Sequence, residues 1–204
     1  MRAIFPLLGV IAALVGARSA HAADIADYFR LYYTQYFAPN PSSPPLDSLT
    51  GSAEQALAAN AARTVIVDRA NGYLRIDDDS RTEQVLTMAV YLKADGNQLL
   101  VVGTSDCADA CIFSVGFYAI SGNLLQAIAS DAIVPTIDPA RFIRTGQAGP
   151  KNEPTINYVP ARVGTSLTLK PWYGYEVEET MNKATRASIR DVVLTWDRTS
   201  GRFH

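Results

Sequence analysis

Three short turns, each lying between two runs of alternating apolar and polar residues, constrain the fold of this chain more than any other feature. They are Asn71-Gly72, Asp95-Gly96 and Gly122-Asn123. Asn and Gly readily adopt the positive φ angles of tight hairpin turns, and a period of two places every second side chain on one face of a strand. Consecutive hairpins of this kind predict an antiparallel β-meander.

Further strand-like runs follow the three hairpins toward the end of the chain. We expect them at residues 156–162, 166–172, 175–179 and 188–196. Between these runs and the hairpins, Asp138-Pro139 predicts a helical turn with Asp as its cap and Pro at its first position. The total is about eight to ten strands in an antiparallel meander sheet, with a barrel or a sandwich as the alternative arrangement.

The segment before the strands predicts an amphipathic helix with an aromatic face. Its apolar residues recur at helical spacing after Asp24, a suitable N-cap, and a cluster of prolines from Pro39 onward ends it. These residues are Ile25, Tyr28, Phe29, Tyr32 and Tyr36. A tyrosine-rich face suits either a binding surface or packing on the sheet, and we favour packing. The predicted fold class is therefore α+β, with this helix packed on the sheet.

The first 22 residues have the pattern of a secretory signal peptide. Met1-Arg2 precedes an apolar run that contains Pro6 and is shorter than the roughly 20 residues of a membrane span, and Ala20-His21-Ala22 ends it with small residues. We predict cleavage after Ala22 and a periplasmic or extracellular location. No transmembrane segment is expected in the mature chain.

The remainder, residues 23–204, is expected to form one domain, because 48% of the chain is hydrophobic and its length suits a single core. Residues 23–62 form a helical and Pro-rich N-terminal segment, with a short Ala-rich helix expected at 52–60, and residues 63–204 form the β-rich body. Eighteen basic and 20 acidic residues give a net charge of −2, which excludes a strongly basic nucleic-acid binder.

The two cysteines, Cys107 and Cys111, lie at the tip of a predicted hairpin. Residues that flank a three-residue loop lie opposite each other at disulfide distance, and an exported chain is oxidised. We therefore predict a structural disulfide rather than a redox pair or a metal site. The loop that it closes, with Asp109 at its centre, is a candidate recognition element.

Residues able to perform common enzyme chemistry are scarce in the mature chain. Its one histidine, His204, is the last residue, where we expect fraying rather than the support that a catalytic imidazole needs. This disfavours Ser-His-Asp and Cys-His catalysis and histidine metal sites, and no phosphate-binding or dinucleotide-binding motif is present. We predict no metal and no cofactor.

The segment around Trp172 combines aromatic and acidic residues. Trp172, Tyr173 and Tyr175 form a candidate binding surface, bent at Gly174, because large rings with few torsions suit interfaces. On the predicted strand 175–179, alternation would put Glu176 and Glu178 on one side about 7 Å apart. A pair of carboxylates beside aromatic rings suits glycan hydrolysis. A second candidate set is the run Asp77, Asp78 and Asp79, which we expect in a loop.

These features predict a soluble, exported, non-catalytic binding protein, such as an inhibitor, an immunity factor or an envelope accessory protein. Its partner would be another protein or an envelope glycan. The alternative is a carboxylate-dependent glycan hydrolase of the cell envelope that uses Glu176, Glu178 or the Asp77–Asp79 run. The oligomeric state stays open.

Overall fold

The structure is a computed structural model that describes residues 24–36, 63–78 and 83–204. Within these ranges the chain forms ten strands in two antiparallel sheets, with a helix packed on one of them. The predicted signal peptide, the predicted helix at 52–60 and Asp79 lie outside the described residues. The predicted α+β class is confirmed, and the strands divide between two sheets.

The first sheet is the predicted meander, with six strands that lie side by side in chain order. At its first turn, residues 69–71 form a single 3-10 turn that Gly72 ends, and the Asp68 carboxylate accepts a hydrogen bond from the backbone N–H of Asn71. The strands are β1 (Arg63–Asp68), β2 (Tyr73–Asp78), β3 (Glu83–Leu92), β4 (Gln98–Cys107), β5 (Cys111–Ser121) and β6 (Leu124–Ile128).

The second sheet contains four strands in the order β10-β9-β8-β7. They are β7 (Thr155–Pro160), β8 (Ser166–Trp172), β9 (Val192–Asp197) and β10 (Arg202–Phe203). The chain end is held rather than frayed, because the backbone N–H and carbonyl of His204 both bond to Thr195 of β9. The expectation of a frayed terminus was therefore wrong, although the His204 side chain is exposed.

In the described parts of the chain, four α-helices accompany the sheets: α1 (Ile25–Tyr36), α2 (Ser130–Ile133), α3 (Tyr175–Thr180) and α4 (Lys183–Ser188). Helix α3 occupies the segment predicted as strand 175–179, and α4 ends where strand 188–196 was expected to begin. The predicted cap at Asp138 is confirmed, since its carboxylate accepts a hydrogen bond from Ala140 at the start of a 3-10 turn. Asp24 likewise caps α1 by accepting from Ala26.

The six-stranded sheet is covered on both faces. On strand β4, Leu99 and Val101 pack toward the second sheet, whereas Leu100 and Val102 pack toward α1. Each of these four side chains is at most 1% exposed. Their continuous apolar run results from this double burial, because a strand with one solvated face would alternate. Helix α1 packs on the sheet as predicted, with Tyr28, Phe29 and Tyr32 buried, whereas Tyr36 at its end is 42% exposed. None of the described helices is long and apolar enough to cross a membrane.

Candidate functional site

The tip of the β4–β5 hairpin is closed by a disulfide. Strand β4 ends at Cys107, strand β5 begins at Cys111, and the two residues are direct partners in the register, with their Cα atoms 4.0 Å apart. Within the three-residue loop the backbone N–H of Ala108 donates to the carbonyl of Ala110, and Asp109 is exposed. The bridge uses both cysteines of the chain, so the hairpin tip is a rigid element.

Three aromatic rings lie beside this tip. The rings of Phe113 and Trp172 meet edge to face with centroids 6.5 Å apart, and Trp172 meets Tyr175 in the same way at 5.0 Å. The Tyr175 hydroxyl lies 3.5 Å from Sγ of Cys111. We call these three rings with the Cys107–Cys111 disulfide the Trp172 cluster. It joins two segments of the sequence, the stapled hairpin and the aromatic segment, that were singled out separately.

Gly174 sets the direction of the aromatic segment. Its φ of 91° and ψ of 154° end strand β8 and place it as the N-cap of α3, in a conformation that only glycine adopts easily. Tyr175 consequently points to the hairpin and is 39% exposed, while Tyr173 points inward and is only 7% exposed. The predicted bend is present, but Tyr173 is not available on a surface.

The buried position of Tyr173 changes its chemistry. Burial raises the pKa of its phenol, and the nearby carboxylate of Glu178 raises that pKa further. Tyr173 therefore stays neutral and lies away from solvent rather than on a binding surface. Of the four residues predicted to form a binding surface, Trp172 is partly buried, and Tyr175 and Asp109 are exposed.

The acidic residues of the segment are not arranged as predicted. Glu176 and Glu178 lie in helix α3 rather than on a strand, and residues two apart on a helix do not face each other. Glu178 forms an ion pair with Arg186 of α4, with Oε2 and Nη1 3.0 Å apart, and Arg186 also donates to its backbone carbonyl. The geometry expected for a catalytic carboxylate pair is absent here.

The aspartates of the first hairpin also have structural partners. Asp77 and Asp78 belong to strand β2 and not to a loop. The Asp77 carboxylate pairs with Arg75 at 2.6 Å, and that of Asp78 pairs with Arg63. Within residues 24–36, 63–78 and 83–204, no group of three or more His, Cys, Asp or Glu side chains is placed to hold a metal ion.

Two residues of the site were missed by sequence analysis. Neither Phe113 nor Ile112, which is 68% exposed beside the disulfide, was singled out as a site residue. The available signal was their position directly after Cys111 on a hairpin tip. Ile112 is exposed because it pairs with Asp106 on the face of β5 opposite to Phe113.

Comparison with known proteins extends to the fold only. No protein-family model and no curated protein matches the chain. Its fold is similar to the solved structure of a domain of an uncharacterized protein from Porphyromonas gingivalis W83, with a TM-score of 0.51 and 16% sequence identity. The similarity covers 70% of this chain and 73% of that one. At this identity the likeness describes a shared arrangement of strands and carries no function.

Proposed function

We propose that this chain is an exported, non-catalytic binding protein that recognises another protein through the Trp172 cluster and the adjoining hairpin tip. One observation carries the proposal: the disulfide-closed hairpin and the Trp172–Tyr175 pair contact each other, although Cys111 and Tyr175 are 64 residues apart in sequence. Two candidate recognition elements therefore form one continuous surface.

The composition of this surface suits a protein partner. Ile112 and Tyr175 are 68% and 39% exposed. Ile112 projects from the face of β5 opposite to Phe113, so a partner that contacts both residues covers the hairpin tip from two sides. Aromatic and aliphatic anchors dominate the binding energy of protein interfaces. The exposed Asp109 adds a charge at the rim, where charges steer association.

Rigidity is the second support for the proposal. The disulfide holds the loop in one shape, and the edge-to-face contacts of Phe113, Trp172 and Tyr175 restrict their rotamers. A surface that is ordered before binding loses less conformational entropy when the partner binds. Export is supported by the pattern of residues 1–22 and by the disulfide, since such bonds persist in oxidising compartments.

Site-specific photo-crosslinking tests the proposal. A photoreactive phenylalanine analogue replaces Ile112 or Tyr175 and, as matched controls, Leu124 or Val193, which are exposed apolar residues elsewhere at 61% and 58%. Leu124 lies beyond the opposite end of strand β5. In cells that produce the protein, irradiation should join one and the same discrete protein to positions 112 and 175 and not to the controls. Identical adducts at all four positions, or no adduct at 112 and 175, would contradict the proposal.

Glycan hydrolysis receives no support from the carboxylates. Glu176 and Glu178 diverge on α3, and Glu178 is engaged by Arg186. Incubation of the purified protein and of its Glu178→Gln variant with peptidoglycan tests the hydrolase alternative. We expect equal, background release of soluble fragments from both proteins. Release by the native protein that the variant lacks would favour the hydrolase instead.

A further inference from the structure

A second site is indicated by a cluster of arginines in the loop after the first sheet. A shallow, open cavity of about 380 Å³ is lined by the exposed side chains of Arg141, Arg144 and Arg190, together with those of Thr145 and Gln147. Cavities of this size lie within the range of small-molecule sites. The chain as a whole has a net charge of −2, so three arginines around one cavity are a local concentration of positive charge.

The charged ends of these arginines have no acidic partner among the residues that the structure describes. In the part of the chain that the structure describes, ion pairs within 4.0 Å form at other arginines, namely Arg30, Arg63, Arg69, Arg75, Arg162 and Arg186. None of the described carboxylates lies that close to Arg141, Arg144 or Arg190. All three side chains are exposed, so water and salt screen their mutual repulsion, and a multiply charged anion bound between them would lower it further.

Backbone carbonyls orient two of the three side chains. Nε of Arg190 donates to the carbonyl of Arg141 at 2.8 Å, and Nε of Arg144 donates to the carbonyl of Ala187 at 3.0 Å. A guanidinium that is held through Nε keeps its terminal N–H groups for a further acceptor. Those groups form a planar fork that matches the oxygens of phosphate and carboxylate.

The backbone beneath the arginines is held by two cross-links between segments 142–144 and 188–190. The N–H of Arg144 donates to the carbonyl of Ser188, and the N–H of Arg190 donates to the carbonyl of Phe142. Phe142 is fully buried, and Ser188 is 1% exposed with its hydroxyl donating to a backbone carbonyl. The arginines therefore project from an anchored frame and not from a free loop.

From these observations we infer that the cavity binds a small ligand with at least two oxyanion charges, such as a phosphorylated or polycarboxylic compound. Three positive charges are best balanced by a multiply charged anion, and the cavity exceeds the size of a single inorganic ion. This inference is independent of the Trp172 cluster. The sequence did not suggest it, because Arg141 and Arg190 are 49 residues apart.

Calorimetric titration with pyrophosphate and, separately, citrate tests the inference. The variants are Arg141→Gln and Arg190→Gln, and the matched control is Arg30→Gln, an arginine on α1 whose side chain is 55% exposed. Arg141→Gln is the safer variant for folding, since its guanidinium is not held by either carbonyl contact. Unchanged thermal unfolding midpoints without ligand show that the variants fold.

We expect at least one of the two anions to bind the native protein and the Arg30→Gln control equally. Binding should weaken about tenfold or more in Arg141→Gln and in Arg190→Gln, because each loses charge-assisted hydrogen bonds. Tighter binding of pyrophosphate would indicate a phosphorylated ligand, and tighter binding of citrate would indicate a polycarboxylic ligand. Absence of binding by both anions, or equal affinity in all four proteins, would overturn the inference.

Discussion

The aromatic face of α1 and the Trp172 cluster are both rich in aromatic residues, yet they lie in different environments. On α1, Tyr28, Phe29 and Tyr33 are each at most 5% exposed against the six-stranded sheet. In the Trp172 cluster the rings are partly open, and a disulfide rather than a sheet lies behind Tyr175. Helical spacing puts the α1 rings on one face that can be buried, whereas Gly174 interrupts the second segment and sends its rings in different directions.

The largest expected difference between the two regions is in stability. Phe29→Ala should lower the free energy of unfolding by about 3–5 kcal/mol, because it removes a large buried ring from a packed layer. Tyr175→Ala should lower it by less than about 1 kcal/mol, because that ring is 39% exposed. Urea denaturation of both variants measures the two values. Similar losses would show that the Trp172 cluster is a structural core like that of α1.

Removal of the disulfide is expected to have the next largest effect. Replacing Cys107 and Cys111 together by serine should lower the free energy of unfolding by about 2 kcal/mol, the chain-entropy value for so short a loop. It should also abolish photo-crosslinking from position 112, because the tip is no longer held in one shape. Denaturation and crosslinking of the double variant test both results. Intact crosslinking would mean that the rings alone hold the surface.

Substitution of Gly174 tests whether the bend in the backbone orients the ring of Tyr175. Gly174→Ala should lower the free energy of unfolding by roughly 1–2 kcal/mol, because its φ of 91° strains any other residue. Relief of that strain would move Tyr175 away from Cys111 and alter the contact with Trp172. Near-ultraviolet circular dichroism, in which Trp172 is one of two tryptophans, measures the change. An unaltered spectrum would show that the bend does not position the rings.

The smallest effect at neutral pH concerns the tyrosines of α1. Burial, with the neighbouring Tyr118, raises the pKa of Tyr32, so the folded protein holds this proton more tightly than the unfolded chain does. The resulting stability is complete below about pH 10, where unfolded tyrosine ionises, and is lost progressively as the pH rises above it.

Tyr32→Phe should therefore cost less than about 1 kcal/mol at pH 7, the net value of one hydrogen bond. Above pH 10 the variant should lose stability less steeply than the native protein. Urea denaturation at pH 7, 10 and 11 provides the comparison. Equal slopes would show that Tyr32 does not govern alkaline unfolding of the α1 layer.

The parts of the fold that depend on near neighbours in sequence were predictable. The meander, the aromatic helix, the disulfide and the cap at Asp138 each depend on a few adjacent residues whose turn chemistry or period is distinctive. The segment 175–179 was assigned wrongly because five residues of alternating character are compatible with a strand or with a helical turn. Gly174 decides between them, because it lies after strand β8 and is the N-cap of helix α3.

The candidate site was only half predictable. Cys107, Cys111, Trp172 and Tyr175 were all identified, but their contact was not, because it joins a hairpin of the first sheet to the end of a strand in the second. The burial of Tyr173 and the role of Phe113 depend on the same packing. No local pattern reports on which faces of two separate sheets will meet.

By itself, the sequence determined the order of hairpins, the aromatic stripe of α1 and the place of the disulfide, because turn conformation and side-chain period are set within a few residues. Only the tertiary structure decided that the strands divide into two facing sheets, that Trp172 meets the stapled tip and that three distant arginines share a cavity. These are contacts between residues far apart in the chain, and their free energy depends on the packing of both layers together.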